Sequence, residues 1–164
     1  MDPVSVSIVV GRPREEVFGY LSDIANHSEF TDHFLDEFHL TRENSVGRGA
    51  GARFRVKAPF QRFSWMGVSF IDVDAPRRIV EAGRGGKFNR VRVMTVYKLE
   101  PNAGDTTRVE LTTETEPATI SDRIGEALGA RRWTRRQNKR ALRRLRSILE
   151  EGKGRGARAT IAGG

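Results

Sequence analysis

Residues 119–151 read TISDRIGEALGARRWTRRQNKRALRRLRSILEE. At about 100° per residue, Ile120, Ile124, Ala127 and Leu128 open an apolar stripe, and Leu142, Leu145, Ile148 and Leu149 close it. The pattern predicts one long helix. Between its ends Arg131, Thr134 and Asn138 fall on the same stripe. A helix lying on a solid core has no use for three polar side chains there, whereas a helix closing the mouth of a cavity does. Arg131 then offers a cation to a carboxylate or phosphate, and Thr134 and Asn138 offer hydrogen bonds to the polar end of an apolar ligand. The competing reading is a bend near Gly129, or a first half that leaves the sheet and extends Arg131 into water.

The rest of the chain supplies something for such a helix to close. Val4, Val6, Ile8 and Val10 alternate with Ser5, Ser7 and Val9, as in a half-buried strand. Pro13, Glu15 and Glu16 suit a helix N-terminus, and Val17, Phe18, Tyr20 and Leu21 give that helix an apolar face. Asp23 to Phe30 reads as a second short helix. Six strands are then predicted near 37–44, 51–58, 62–74, 78–83, 90–100 and 106–116. Glycine, proline and asparagine turns separate them. Strands joined by short turns form an antiparallel meander with one face to bury. The terminal helix is the one element long enough to cover it. The expected class is α+β: a curved antiparallel seven-stranded sheet, in the order β-α-α-β6-α, wrapped around a long C-terminal helix. One domain is expected over 1–151. Residues 152–164 are rich in glycine, alanine and arginine without periodicity and are expected to be a disordered tail.

Charge is unevenly placed. Residues 1–118 carry a net of −1, residues 119–151 a net of +6 and the tail +3. Of the 29 basic residues 24 are arginine, a bias consistent with genome composition as well as with function. The 164 residues contain no cysteine, which excludes disulfides, thiolate catalysis and cysteine metal sites and is compatible with a reducing compartment. No apolar run spans a membrane, and no signal peptide is visible. The expected location is cytoplasmic.

Several segments, in this order, carry a resemblance. They are Arg12-Pro13-Arg14-Glu15-Glu16-Val17-Phe18-Gly19-Tyr20-Leu21-Ser22-Asp23, Gly51-Ala52-Arg53-Phe54-Arg55-Val56, Val73-Asp74-Ala75-Pro76-Arg77-Arg78-Ile79, Tyr97-Lys98-Leu99-Glu100-Pro101, Thr107-Arg108-Val109-Glu110-Leu111 and Ala141-Leu142-Arg143-Arg144-Leu145. Over residues 4–151 the chain resembles the START-like (SRPBCC) superfamily, in its polyketide cyclase/dehydrase and lipid-transport branch. The resemblance implies a helix-grip fold with a deep, mostly apolar cavity between sheet and C-terminal helix. It also implies binding of lipids, sterols or polyketides, and in some members cyclisation or aromatisation. The family has no universal catalytic motif, so no catalytic residue transfers by position.

The aromatic residues are the other site candidates. In the strand over 62–74, one face reads Phe63, Trp65, Gly67, Ser69, Ile71, Val73, and the other Arg62, Ser64, Met66, Val68, Phe70, Asp72. The first is more apolar and is expected to point inward, with Gly67 and Ser69 leaving room for a ligand. Trp65, Phe54, Tyr97 and Phe34 are therefore expected to line the cavity, against the alternative of ordinary core packing. Trp133, flanked by arginines, is expected to pack at the sheet edge. His27, His33 and His39 are six apart, which matches no zinc spacing, so neither a metal nor a cofactor is expected. His33 lies nearest the implied cavity mouth, where it is either an acid/base or a surface histidine. Gly47-Arg48-Gly49-Ala50-Gly51 leads into a strand and lacks the Gly-Lys-Ser/Thr ending of a phosphate loop, so it reads as a hairpin turn.

Three functions follow. The leading one is binding or carriage of a hydrophobic small molecule by a monomer or homodimer. The second is a cyclase or dehydratase acting in the same cavity, in which His33, Tyr97 or Arg131 moves or stabilises charge. The third is an interaction module using Arg132, Arg136, Lys139, Arg140 and Arg143 on the helix exterior. For that face anionic membrane contact is open, and nucleic acid is disfavoured because the body has no basic stripe. Two or more polar groups converging on one interior point would favour chemistry, and a closed apolar cavity with few of them would favour carriage.

Overall fold

The computed structural model describes residues 1–59, 64–116 and 129–162. Its elements are β1 (Val4–Val10), α1 (Arg14–Leu21), a short 3₁₀ turn (Ile24–Asn26), α2 (His27–Thr31), β2 (Leu35–Leu40), β3 (Gly51–Val56), β4 (Trp65–Asp74), β5 (Arg78–Gly85), a second 3₁₀ turn (Lys87–Asn89), β6 (Val91–Asn102), β7 (Thr106–Glu116) and α3 (Ala130–Glu151). The seven strands form one antiparallel sheet in the order β1-β7-β6-β5-β4-β3-β2. This is the expected helix-grip architecture. Only β1 departs from sequence order. It pairs with β7, Val6 opposite Leu111, so the two helices after it cross to the far edge, where β2 begins.

The core is the concave face of this sheet. Val10, Ile79, Tyr97, Leu99, Val109 and Leu111 meet Leu142, Leu145 and Ile148 of α3, while Val17, Leu21, Ile24 and Phe30 fill the end beneath α1 and α2. The apolar second half of α3 is buried as the periodicity predicts. The expected helix does not run unbroken through Gly129. Gly129 has φ of 104°, a left-handed conformation that glycine tolerates, and α3 starts immediately after it. Ile120, Ile124, Ala127 and Leu128 lie outside the described residues.

Strands β4 and β5 approach closely at Gly83. A Cβ on Gly83 would stand 2.1 Å from the Gly67 carbonyl oxygen and 2.7 Å from Val68 Cγ1. No residue but glycine permits that approach, and the missing side chain sits on the concave face. Strand β4 occupies that space, and Gly67 and Ser69, expected to leave room for a ligand, are not among the residues that line the cavity.

The tail corrects an expectation. Residues 152–162 are not a free coil. Gly152, at φ 66°, ends α3 with its amide on the Ile148 carbonyl, an αL stop that turns the chain back, and Lys153 N reaches Ser147 O. The returning segment lies against α2 and the edge strand β2. Gly156 N donates to Glu29 O, Ala159 N to Ala25 O, and Leu40 N donates to Thr160 O. Ala159 is buried. Arg155 and Arg158 meet Glu29 and Asp23 at 3.4 and 2.6 Å, and Arg144 pairs with Asp32. Composition hid this because the tail is held by backbone hydrogen bonds and ion pairs, which leave no hydrophobic period. Removing residues 152–164 is expected to lower unfolding free energy by about 2 kcal/mol, with three backbone bonds lost at roughly 0.5–1.5 kcal/mol each. A urea-denaturation midpoint equal to that of the full chain would contradict this.

Candidate functional site: a cavity with a polar belt

Between the sheet and α3 lies a cavity of about 480 Å³. Its walls are mostly apolar: Ile24, Phe34, Leu35, Phe38, Phe54, Val56, Met66, Val68, Val93, Leu111, Trp133 and Ala141. The exposed lining residues Pro59, Lys87 and Gly129 mark its rim.

Polar groups cross this interior as a belt. Glu81 on β5 stands opposite Thr95 on β6, and Thr95 opposite Thr113 on β7. Cross-strand partners of this kind put their Cβ atoms about 5 Å apart, so the three side chains form one row. Asn138 of α3 completes it from above, its Nδ2 donating to Thr113 Oγ1 at 2.9 Å. At the other end, His27 Nδ1 stands 2.8 Å from Glu81 Oε1. Both residues are buried, 3% and 7% exposed. His27 Nε2 lies 2.8 Å from the Leu21 carbonyl oxygen. A carbonyl only accepts, so Nε2 carries a proton and donates. At most one further proton then lies between Nδ1 and the carboxyl group. That approach is oblique, and Oε1 has no aligned hydrogen-bond donor among the described residues.

Three aromatic rings fix the imidazole: Phe30, Phe70 and Tyr97, with centroids 5.4, 5.5 and 5.3 Å away. Burial, with the Glu81 carboxyl as a second cause, pushes the Tyr97 phenol well above its ordinary range. Tyr97 is thus a neutral hydroxyl that keeps its proton.

The sequence candidates divide. Phe34, Phe54, Tyr97, Thr134 and Asn138 all line the cavity. Trp65 does not. It is 37% exposed on the convex face of the sheet, with the Arg53 guanidinium 4.9 Å from its ring and His39 at 6.2 Å. The two faces of β4 are the reverse of the expectation: Met66, Val68 and Phe70 point inward, and Ile71 is exposed. A register shift between Phe70 and Asp72 returns Val73 to the core side. Trp65 tolerates the outer face because an arginine covers its ring. Phe63 lies outside the described residues. Arg131 is exposed and outside the cavity. It occupies the first turn of α3, where Ala130, Trp133 and Thr134 face the cavity instead, and its long charged side chain is exposed to water. Arg131→Ala is accordingly expected to leave affinity for an apolar probe within about twofold, and a larger loss by fluorescence titration would contradict the placement.

His33 is not a cavity group. Its Nε2 lies 3.3 Å from the Gln137 carbonyl oxygen and its ring packs on Phe34. Desolvation, followed by nearby Arg140 and Arg144, lowers its pKa despite the Gln137 bond. The histidine that faces the interior is His27, which sequence reasoning passed over. The available signal lay in β5, where strand alternation from Ile79 sends the Glu81 carboxyl inward. Trp133, expected at the sheet edge, is half-buried in the cavity wall, edge-on to Phe34 at 6.0 Å. Among the described residues no group of acids and histidines could hold a metal ion, and no helix is long and apolar enough to cross a membrane.

Residues 1–150 match the family model described as polyketide cyclase / dehydrase and lipid transport. The chain belongs to that family. No curated protein matches the sequence. Among solved structures, a Thermus thermophilus protein is similar at 13% identity and a TM-score of 0.68, covering 92% of this chain and 99% of that one. Truncated norcoclaurine synthase from Thalictrum flavum is similar at 13% identity and a TM-score of 0.70, covering 92% and 94%. A Deinococcus radiodurans protein is similar at 15% identity and a TM-score of 0.61, covering 93% and 99%. At these identities the likeness shows the shared fold.

Proposed function

We propose that this chain binds and carries a hydrophobic small molecule in the cavity between the sheet and α3. The observation that carries the proposal is the cavity itself. Its roughly 480 Å³ are bounded by aromatic and aliphatic side chains, within the size that accommodates small organic ligands, about 300–1,000 Å³. Family membership supports it. Affinity would come from apolar burial at about 25 cal/mol per Å², and orientation from the polar belt. The test is titration with an uncharged fluorescent probe, N-phenyl-1-naphthylamine. Saturable 1:1 binding with a blue-shifted emission supports the reading. Non-saturating emission identical to that given by an unrelated protein would reject it.

A second reading has a specific observation in its favour. His27, Glu81 and Tyr97 converge inside the cavity, which is the arrangement expected of a cyclase or dehydratase rather than a passive carrier. A carboxyl paired with an imidazole accepts a proton, and a protonated phenol donates a hydrogen bond to a carbonyl oxygen as charge develops there. Norcoclaurine synthase, by its name a synthase, has a similar fold.

A further inference from the structure

The cavity holds its charge in an unusual place. Among the described residues no lysine or arginine reaches its inner end, where the ionisable groups are Glu81 and His27. Lys87, exposed at the rim, is the one basic side chain among the described residues that line it. A carboxylate accepts about four hydrogen bonds. Among the described residues Glu81 has one oblique contact, to His27, and no aligned donor on Oε1, although it is more than nine-tenths buried. A buried acceptor in that state is costly unless something supplies a donor. The side chain lines the cavity, so the donor can come from a ligand.

We infer that the ligand is an uncharged, hydroxyl-bearing ring compound whose hydroxyl donates to Glu81, and that hydrophobic carboxylates are selected against. This rests on the cavity reading and narrows it. Three chemistries compete for the inner position. A carboxylate or phosphate would meet the Glu81 carboxyl with no lysine or arginine among the described residues beside it, and the Met1 ammonium that also lines the cavity is held on the Thr115 carbonyl oxygen. An ammonium ion would have to pass a rim whose surroundings are basic, with Lys87 and the exposed Arg131, Arg132, Arg135 and Arg136 of the first turns of α3, and would find Glu81 already beside His27. A neutral hydroxyl avoids both penalties. It donates to Glu81 and accepts from Tyr97, which keeps its proton, or from Thr95, which stands opposite Glu81. The rings of Phe38, Phe54 and Tyr97 offer flat apolar contact to the body of the ligand.

A matched series tests this by displacement of N-phenyl-1-naphthylamine at pH 7.5: naphthalene, 2-naphthol, 2-naphthoate and 2-naphthylmethylammonium. The expected order places 2-naphthol at least tenfold tighter than naphthalene, and 2-naphthoate weaker than naphthalene. Glu81→Leu should cut the hydroxyl preference to under threefold while naphthalene still binds. Glu81→Gln keeps the shape and loses the charge, and should improve 2-naphthoate at least tenfold. Tightest binding by the carboxylate or by the ammonium compound would overturn the inference, and so would a hydroxyl preference that survives in both variants. Binding of naphthalene and 2-naphthol with equal affinity would overturn it too, leaving the cavity reading intact. Failure of the probe and of every compound to bind would overturn both. The wild-type series is decisive by itself should the Glu81 variants fail to fold.

Discussion

His27→Leu is expected to destabilise the fold by about 3–5 kcal/mol, the usual cost of removing one partner of a buried pair. Leucine retains bulk beside Phe30, Phe70 and Tyr97 but gives the Glu81 carboxyl no counterpart. It also leaves the Leu21 carbonyl oxygen without the Nε2 donor at 2.8 Å. The diagnostic result is the double variant. Adding Glu81→Leu to His27→Leu removes the stranded carboxyl and should recover more than half of the loss, because apolar replacement of a buried pair is often neutral or stabilising. Urea denaturation of the four proteins gives the coupling between the two positions. Additive losses would mean that His27 and Glu81 do not act as a pair.

The second large effect concerns the cavity. Thr95→Trp puts an indole into its centre from a half-buried position between Glu81 and Thr113. A bound ligand denied about 100 Å² of apolar contact loses roughly 2.5 kcal/mol at 25 cal/mol per Å², on the order of 70-fold in affinity. The fold should survive, since the added side chain occupies empty space rather than packed core. Retained affinity for N-phenyl-1-naphthylamine in a folded Thr95→Trp protein would mean that the probe binds elsewhere.

Much of the architecture is legible in the sequence for simple reasons. The β-meander announces itself by alternation and by glycine-, proline- and asparagine-rich turns. Leu142, Leu145 and Ile148 keep helical spacing and are buried where that spacing puts them. The site was legible only in part. Thr134 and Asn138 line the cavity and Arg131 does not, although the apolar stripe spans all three on a helical wheel. The cavity is faced by Ala130, Trp133, Thr134, Asn138 and Ala141, a stripe centred to one side of Arg131, and periodicity alone does not say which side of a broad stripe meets the cavity. Strand β4 misled for a related reason. Alternation defines two faces without stating which one is concave, and Trp65 made the outer face look like the inner one until Arg53 supplied its cover. His27 and Glu81 are 54 positions apart in the chain, and no local pattern joins them. The crossing of α1 and α2 to the β2 edge, over the concave face that carries Glu81, brings them to 2.8 Å.

The belt also alters the chemical expectation. A guanidinium on the closing helix implies an anionic ligand, whereas a carboxyl and imidazole at the inner end imply a neutral donor. The basic face of α3 becomes a separate matter. Part of the basic charge, from Arg144 of α3 and from Arg155 and Arg158 of the tail, is matched by Asp32, Glu29 and Asp23.

The most direct measurement is a chemical-shift map of the isotopically labelled protein titrated with 2-naphthol. The account predicts saturable shifts centred on Glu81, Thr95, Tyr97, Thr113 and Asn138, with Trp65 and Arg131 unmoved. Shifts confined to the arginines of α3, or to the convex face around Trp65, would contradict it.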